Sequence, residues 1–131
     1  MKIAIPIWYN RISPVFDTAS RFLIIEIEDE KVTNRFETTL DEQDLTQRCL
    51  RIQELEADTL LCGAISRPYS SMLMSMGINI IPEISGQVED VLKAYLKGNL
   101  FHSKFLMPGC KRHRLMKGKK PRRQRKRKQE S

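Results

Sequence analysis

The order of the apolar patterns constrains this chain most: two runs of period 2 come early, then helical stripes alternate with short aliphatic runs. Lys2–Ile7 is mostly aliphatic, as a central buried strand should be. Pro6 predicts that this strand ends or bulges there. Tyr9-Asn10-Arg11-Ile12-Ser13-Pro14 reads as a polar loop. Arg21–Glu28 and Lys31–Thr39, separated by Asp29-Glu30, read as an antiparallel hairpin. From Asp44 to Ala57 the apolar residues Leu45, Cys49 and Ile52 fall on one helical stripe, with Asp44 as N-cap. Thr59-Leu60-Leu61-Cys62 is a short strand stopped by Gly63. A second helix opens at Ser66-Arg67-Pro68, with Ser66 as N-cap, and closes at Gly77. Ile78–Ile81 is the next strand, and Ser85-Gly86 precedes a third helix with Val88, Val91, Leu92, Tyr95 and Leu96 on one face. Gly98 ends it.

Strands that alternate with helices pair in parallel through right-handed crossovers, while the early hairpin adds an antiparallel strand. The fold class predicted is therefore α/β, with a mixed five-stranded sheet and helices on both faces. A chain of 131 residues fits one domain and can bury a core without staples. No apolar stretch approaches the ~20 residues of a membrane helix. The opening Met1–Pro6 is too short for a secretory h-region, so a cytoplasmic protein without membrane contact is expected. Three cysteines without close spacing argue for reduced thiols rather than a disulfide framework.

Charge divides the chain at Cys110. Residues 1–110 carry a net charge of about −4, and residues 111–131 carry 12 Lys and Arg against one acid, about +11. Together these give the +7 of the whole chain. A domain over 1–110 is thus expected to be followed by a basic tail, 111–131, with no apolar stripe and disordered on its own. The tail can neutralise phosphates in a salt-dependent way, but it has no aromatic residue on which a base could stack. Either it binds nucleic acid or another polyanion without sequence preference, or it is a solubilising appendage with no selected partner.

Ligands of open α/β sheets sit beyond the carboxyl ends of the parallel strands. Loops Trp8–Phe16, Gly63–Arg67 and Pro82–Gly86 reach that edge, and the helices opening at Ser66 and Ser85 would turn free N–H groups toward it. Such an edge favours an anion, unless the helix starts are ordinary caps facing water. Arg11, Ser66 and Arg67 are the candidate lining residues. Cys62 ends its strand beside the crevice, either as a core residue or as a ligand. Cys49 lies on an apolar helix face and reads as core, as do Met72, Met74 and Met76. Cys110 follows a Pro-Gly turn, and Lys111 and Arg112 favour its thiolate; it is a ligand, a reactive thiol or an incidental exposed cysteine. His102, between Phe101 and Ser103, either packs or ligates. No nucleophile elbow, P-loop, GxGxxG, HExxH or CxxC is present, and three cysteines cannot complete a four-cysteine cluster within one chain. A binding protein, not an enzyme, is expected.

Lys2-Ile3-Ala4-Ile5-Pro6, Ser13-Pro14-Val15-Phe16-Asp17-Thr18-Ala19, Cys62-Gly63-Ala64-Ile65-Ser66, Gly77-Ile78, Ile81-Pro82, Ser85-Gly86 and Met107-Pro108-Gly109-Cys110 resemble, in order, the dinitrogenase iron–molybdenum cofactor biosynthesis family. The resemblance implies a ribonuclease-H-like three-layer fold. It also implies carriage of an iron–sulfur or molybdenum-containing cluster between donating and accepting proteins, by a monomer or weak dimer. Cys110, Cys62 and His102 are the metal-ligand candidates; soft thiolates suit such a cluster. Where many cofactor-carrying members have His-Phe-Gly, this chain has Val15-Phe16-Asp17. It is similar to the subgroup with Val-Phe-Asp and Met-Pro-Gly-Cys, whose members need not serve nitrogenase. Ribonuclease-H-type nuclease chemistry would need clustered carboxylates on two metals. The strands offer Glu26 and Glu28 but no acid at the centre of the first.

Overall fold

Ile3, Ala4 and Ile5 are wholly buried at the centre of the sheet, and the other elements are arranged around their strand. The computed structural model describes residues 1–41 and 44–98. Along the chain these form β1 (Lys2–Trp8), β2 (Arg11–Ile12), β3 (Arg21–Glu28), β4 (Lys31–Thr39), α1 (Leu45–Glu54), β5 (Thr59–Leu61), α2 (Arg67–Ser75), β6 (Asn79–Ile81) and α3 (Val88–Lys97). The sheet order is β4-β3-β1-β5-β6, with β2 paired to the end of β1. β3 runs antiparallel to β1 and β4 antiparallel to β3, while β5 and β6 are parallel to β1. The sheet is mixed, as predicted.

Two local expectations are corrected. The sheet has six strands rather than five, because Arg11–Ile12 folds back onto β1 with Ile7 opposite Ile12 and Trp8 opposite Arg11. Two residues are too few to show a periodic pattern, so this strand is invisible to hydrophobic periodicity. Pro6 also does not end β1, which continues to Trp8. The Pro6 carbonyl accepts from the Ser13 N–H at 2.8 Å, on the side away from β3. The proline nitrogen faces that same side, beyond Ala4, where pairing with β5 stops. No ladder bond is lost there.

Alternation along β1 and β3 sends side chains into two cores. On one face Ile3, Ile5, Ile7, Leu23 and Ile25 pack under Val88, Val91 and Leu92 of α3. On the other, Ala4, Phe22, Ile24 and Leu60 pack under Cys49 and Ile52 of α1 and Leu73 of α2. The result is three layers. Asp44 caps α1, its carboxylate accepting from the Gln47 N–H at 3.1 Å. Gly77 and Gly98 terminate α2 and α3 at φ +87° and +78°, where a side chain would be strained. Met72 and Met76 pack partly against the core, whereas Met74 is exposed, contrary to the core-filling expectation. No helix of the described residues is long and apolar enough to cross a membrane.

Candidate functional site at the carboxyl edge of the sheet

β1, β5 and β6 end at one edge, and three loops converge there. Backbone hydrogen bonds tie them into one rim. Ala64 N–H donates to the Pro14 carbonyl and Phe16 N–H to the Ala64 carbonyl, both at 2.8 Å. Glu83 N–H reaches the Gly63 carbonyl at 2.9 Å, and Ile84 N–H the Cys62 carbonyl at 3.0 Å. Ile12 N–H reaches the Gly86 carbonyl at 3.0 Å. Gly63 is the tightest point: a Cβ there would lie 2.6 Å from the Pro14 carbonyl oxygen and 2.7 Å from that of Ser13. Only glycine lets these two backbones approach so closely.

A buried arginine holds the first loop from beneath. Arg48, on α1, is fully buried, and its guanidinium donates to the carbonyls of Phe16, Ala19 and Leu40. It also lies 5.0 Å from the Phe16 ring centroid and 5.7 Å from that of Phe22. Arg48 lies three residues after Leu45 and four before Ile52, on the buried face of α1, but an apolar stripe read from sequence passes over a cation. The Ala19 and Leu40 carbonyls, and the Phe16 carbonyl that also accepts from the Ala19 N–H at 3.1 Å, give the buried cation its acceptors.

The helix starts differ from expectation. Ser66 has the extended backbone of an N-cap, but its side chain makes no cap bond. Instead its N–H donates to the Asp17 carboxylate at 3.1 Å. The N-cap of α3 is Gln87, not Ser85, and the Val88 N–H donates to the Asn10 carbonyl at 2.8 Å. Glu89 and Asp90 stand in the first turn of α3. Both helix starts thus have an internal acceptor, and at α2 it is already a carboxylate. An incoming anion at α2 would meet Asp17 first.

Cys62 lies at the floor of this edge, wholly buried in the core cluster beneath α1 and α2. Burial, helped by the nearby charge of Asp17, pushes its thiol up to about 12. At neutral pH it is a protonated thiol without access to the crevice. Cys49 is also buried, as expected, and burial raises its thiol against the opposing effect of Arg48. Ser66 is half-buried and Arg67 exposed at the start of α2, whereas Arg11 is exposed on β2 and bridges to Gln87 before α3. The lining candidates are therefore divided between helices on opposite faces of the sheet. Cys110 and His102 lie outside the described residues, as does the basic tail, residues 111–131. Among the described residues no group of three or more His, Cys, Asp or Glu could hold a metal ion.

Grooves open along the rim. One of about 470 Å³ lies between α2 and β6, lined by Ala64, Ile65, Ser70, Met74, Pro82 and Glu83. A second, about 420 Å³, is bordered by Trp8, Pro14, Val15, Thr18 and Arg21. A third, about 530 Å³, is bordered by Trp8, Tyr9, Asn10, Arg21 and Glu37.

Residues 1–98, which include the entire rim, match the dinitrogenase iron-molybdenum cofactor family. The chain belongs to this family. An uncharacterized protein of Methanocaldococcus jannaschii is 28% identical over 106 residues, covering 76% of this chain and 89% of that protein. The crystal structure of PH0822 is similar with a TM-score of 0.71 at 25% identity, over 75% of this chain and 92% of that one. The apo form of the orange protein from Desulfovibrio gigas shares the fold, with a TM-score of 0.62 at 16% identity over 75% of this chain and 88% of that one. Within this member of the dinitrogenase iron-molybdenum cofactor family, the Val15-Phe16-Asp17 segment has structural roles. Phe16 is the buried anchor against Arg48, Phe22 and Tyr69, and Asp17 caps α2. Val15 alone of the three is exposed to the groove, at 39%.

Proposed function

We propose that this chain is a carrier, not an enzyme, for an anionic iron–sulfur or molybdenum-containing cluster, taken from one protein and delivered to another at the carboxyl edge. The family match over residues 1–98 carries this reading. The rim supports it as a rigid frame with open grooves but no closed cage. A carrier needs few protein ligands, because full enclosure would block release.

The described residues do not supply a ligand set, since Cys62 is wholly buried and no group of three or more His, Cys, Asp or Glu among them could hold a metal ion. The ligands of this reading are therefore Cys110, with Lys111 and Arg112 favouring its thiolate, and His102. Arg11, Ser66 and Arg67 are assigned to the border of the bound cargo. Chain length permits the assignment. The Tyr95 hydroxyl lies 4.0 Å from the Met1 sulfur, which puts the last turn of α3 at the amino edge of β1. The stretch from residue 98 to residue 110 can span up to roughly 40 Å when extended. The length of β1 is only about 23 Å.

Anaerobic reconstitution with iron, sulfide and molybdate is expected to produce charge-transfer absorption. Cys110→Ala should weaken it and Cys62→Ala should leave it in place. No metal bound by the full chain under these conditions would overturn the reading.

A further inference from the structure

Among the described residues the sheet ends differently on its two sides. Beyond β5 it closes with β6, only three residues long. At the other end β4 runs for nine residues, all exposed except Thr38. A long exposed edge is a template for another strand, and proteins that avoid such pairing shorten the edge or place proline or lysine along it. β4 has no proline, and its one lysine stands at its first position. Its bulge, where Glu26 faces Asn34 but Ile27 faces Val32, lies at Thr33 and leaves Asn34–Thr39 regular. Phe36 is 41% exposed in the middle of that stretch.

The free edge has a defined pattern. The Leu40 N–H donates to the Ser20 carbonyl at 2.7 Å, toward β3. Alternation turns the backbone groups of Asn34, Phe36 and Thr38 toward β3 as well, and those of Arg35, Glu37 and Thr39 outward. We propose that this edge binds the same edge of a second copy of the chain, antiparallel, about a two-fold axis at Phe36. In that register Arg35 faces the partner's Glu37 and Glu37 faces the partner's Arg35, each as a hydrogen-bonded pair. The two Phe36 rings meet on the opposite face of the sheet, flanked by Asn34 facing the partner's Thr38. Other registers fit worse. A centre at Arg35 or at Glu37 sets like charges opposite each other, one at Asn34 carries the pairing through the bulge, and one at Thr38 runs past the end of β4. The ion pairs within each chain extend the pattern, since Arg35 holds Glu89 at 2.7 Å and Arg21 holds Glu37 at 3.3 Å. Across the seam Glu89, Arg35, the partner's Glu37 and the partner's Arg21 then follow in alternating sign. One patch serves both copies, so the assembly closes as a dimer. A contact of one strand on each side is small, which places this dimer among weak, micromolar ones.

Sedimentation velocity of the full chain at about 0.15 M salt, over roughly 5 to 500 µM, should show a monomer–dimer equilibrium. Arg35→Glu sets acids opposite each other across the seam, and Glu37→Arg sets bases there. Each alone should weaken self-association roughly 10- to 100-fold. An equimolar mixture of the two variants restores opposite charges at both pairs and should associate about as tightly as the native chain. The register is read by cross-linking. Cys49 and Cys62 are buried, and Cys110→Ser removes the remaining thiol. In that chain Phe36→Cys should give a disulfide-linked dimer on mild oxidation, because residue 36 faces itself, whereas Asn34→Cys should not. The proposal is overturned by a chain that stays monomeric throughout, by association that neither reversal weakens, or by a mixture no tighter than the single variants. Should a reversal variant fail to fold, the cross-link decides, and its absence at residue 36 or its equal yield at residue 34 overturns the proposal.

Discussion

Arg48 is a cation enclosed by two aromatic rings and three backbone carbonyls, and that environment sets its importance. Removing it would take the guanidinium donors from the Ala19 and Leu40 carbonyls, while the Phe16 carbonyl keeps the Ala19 N–H at 3.1 Å, at about 1–3 kcal/mol for each acceptor left unsatisfied. Arg48→Met is therefore expected to lower unfolding stability by about 2–4 kcal/mol, seen as a lower urea midpoint with an unchanged slope. An unchanged midpoint would show that the loop over residues 16–20 does not depend on this clamp. Cys62 gives a prediction with a sign. Its ordinary value is 9.0 and burial raises it to about 12 in the folded chain. Below pH 9 both states hold the proton and the group has no effect on stability. Between pH 9 and 12 the unfolded chain releases the proton while the folded chain retains it, so stability falls as pH rises. Compared with the native protein, Cys62→Ala should lose stability less steeply across that window in denaturation series. Parallel curves would mean that the thiol is not held protonated. The sequence placed Cys62 correctly at a strand end beside the crevice. It left open whether the sulfur faced core or ligand, because position along a strand does not reveal what covers it.

The helices were legible because their signals are local. The stripe through Cys49 and Ile52, the Asp44 cap, and the glycines after α2 and α3 all appear where read. What the sequence could not show was how loops meet. Asp17 lies 49 residues from the helix it caps, and β2 exists only because Arg11 and Ile12 find β1. Gly63 expresses the same point. Read in sequence, it simply stops a strand; in the fold it admits the carbonyls of Ser13 and Pro14. Both clashing atoms are backbone, so they cannot turn away. Gly63→Ala is expected to destabilise the chain by roughly 1–3 kcal/mol, measured by thermal or urea unfolding. Native-like stability would indicate that the first loop can lift from β5. The exposed pair Arg35–Glu89, by contrast, joins β4 to α3 at 2.7 Å and holds the Glu89 carboxyl below its ordinary value. Solvent on both groups limits its contribution to about 1 kcal/mol or less.

Across the whole molecule, an acidic α/β domain and a strongly basic C-terminal segment occupy one chain, and net charge alone would describe only the second. Family membership rests on the first, through residues 1–98. Apart from β2, the order of strands and helices along the chain, the mixed sheet and the two covered faces were readable from hydrophobic pattern, because burial on two sides imposes it. The site was readable only as an edge. At its expected helix N-termini Asp17 accepts from the N-cap N–H of α2 and Asn10 from the first N–H of α3, and Cys62 is a buried thiol. The carrier account therefore depends on the chain acquiring its cargo through Cys110 and His102 at that edge. Isolation of the full chain under strict exclusion of oxygen, followed by elemental and acid-labile sulfide analysis, tests this most directly. The account predicts coloured protein holding iron and sulfide, with or without molybdenum, and loss of that metal in Cys110→Ala. Colourless native protein free of metal, or Cys110→Ala retaining the same metal content, would contradict it.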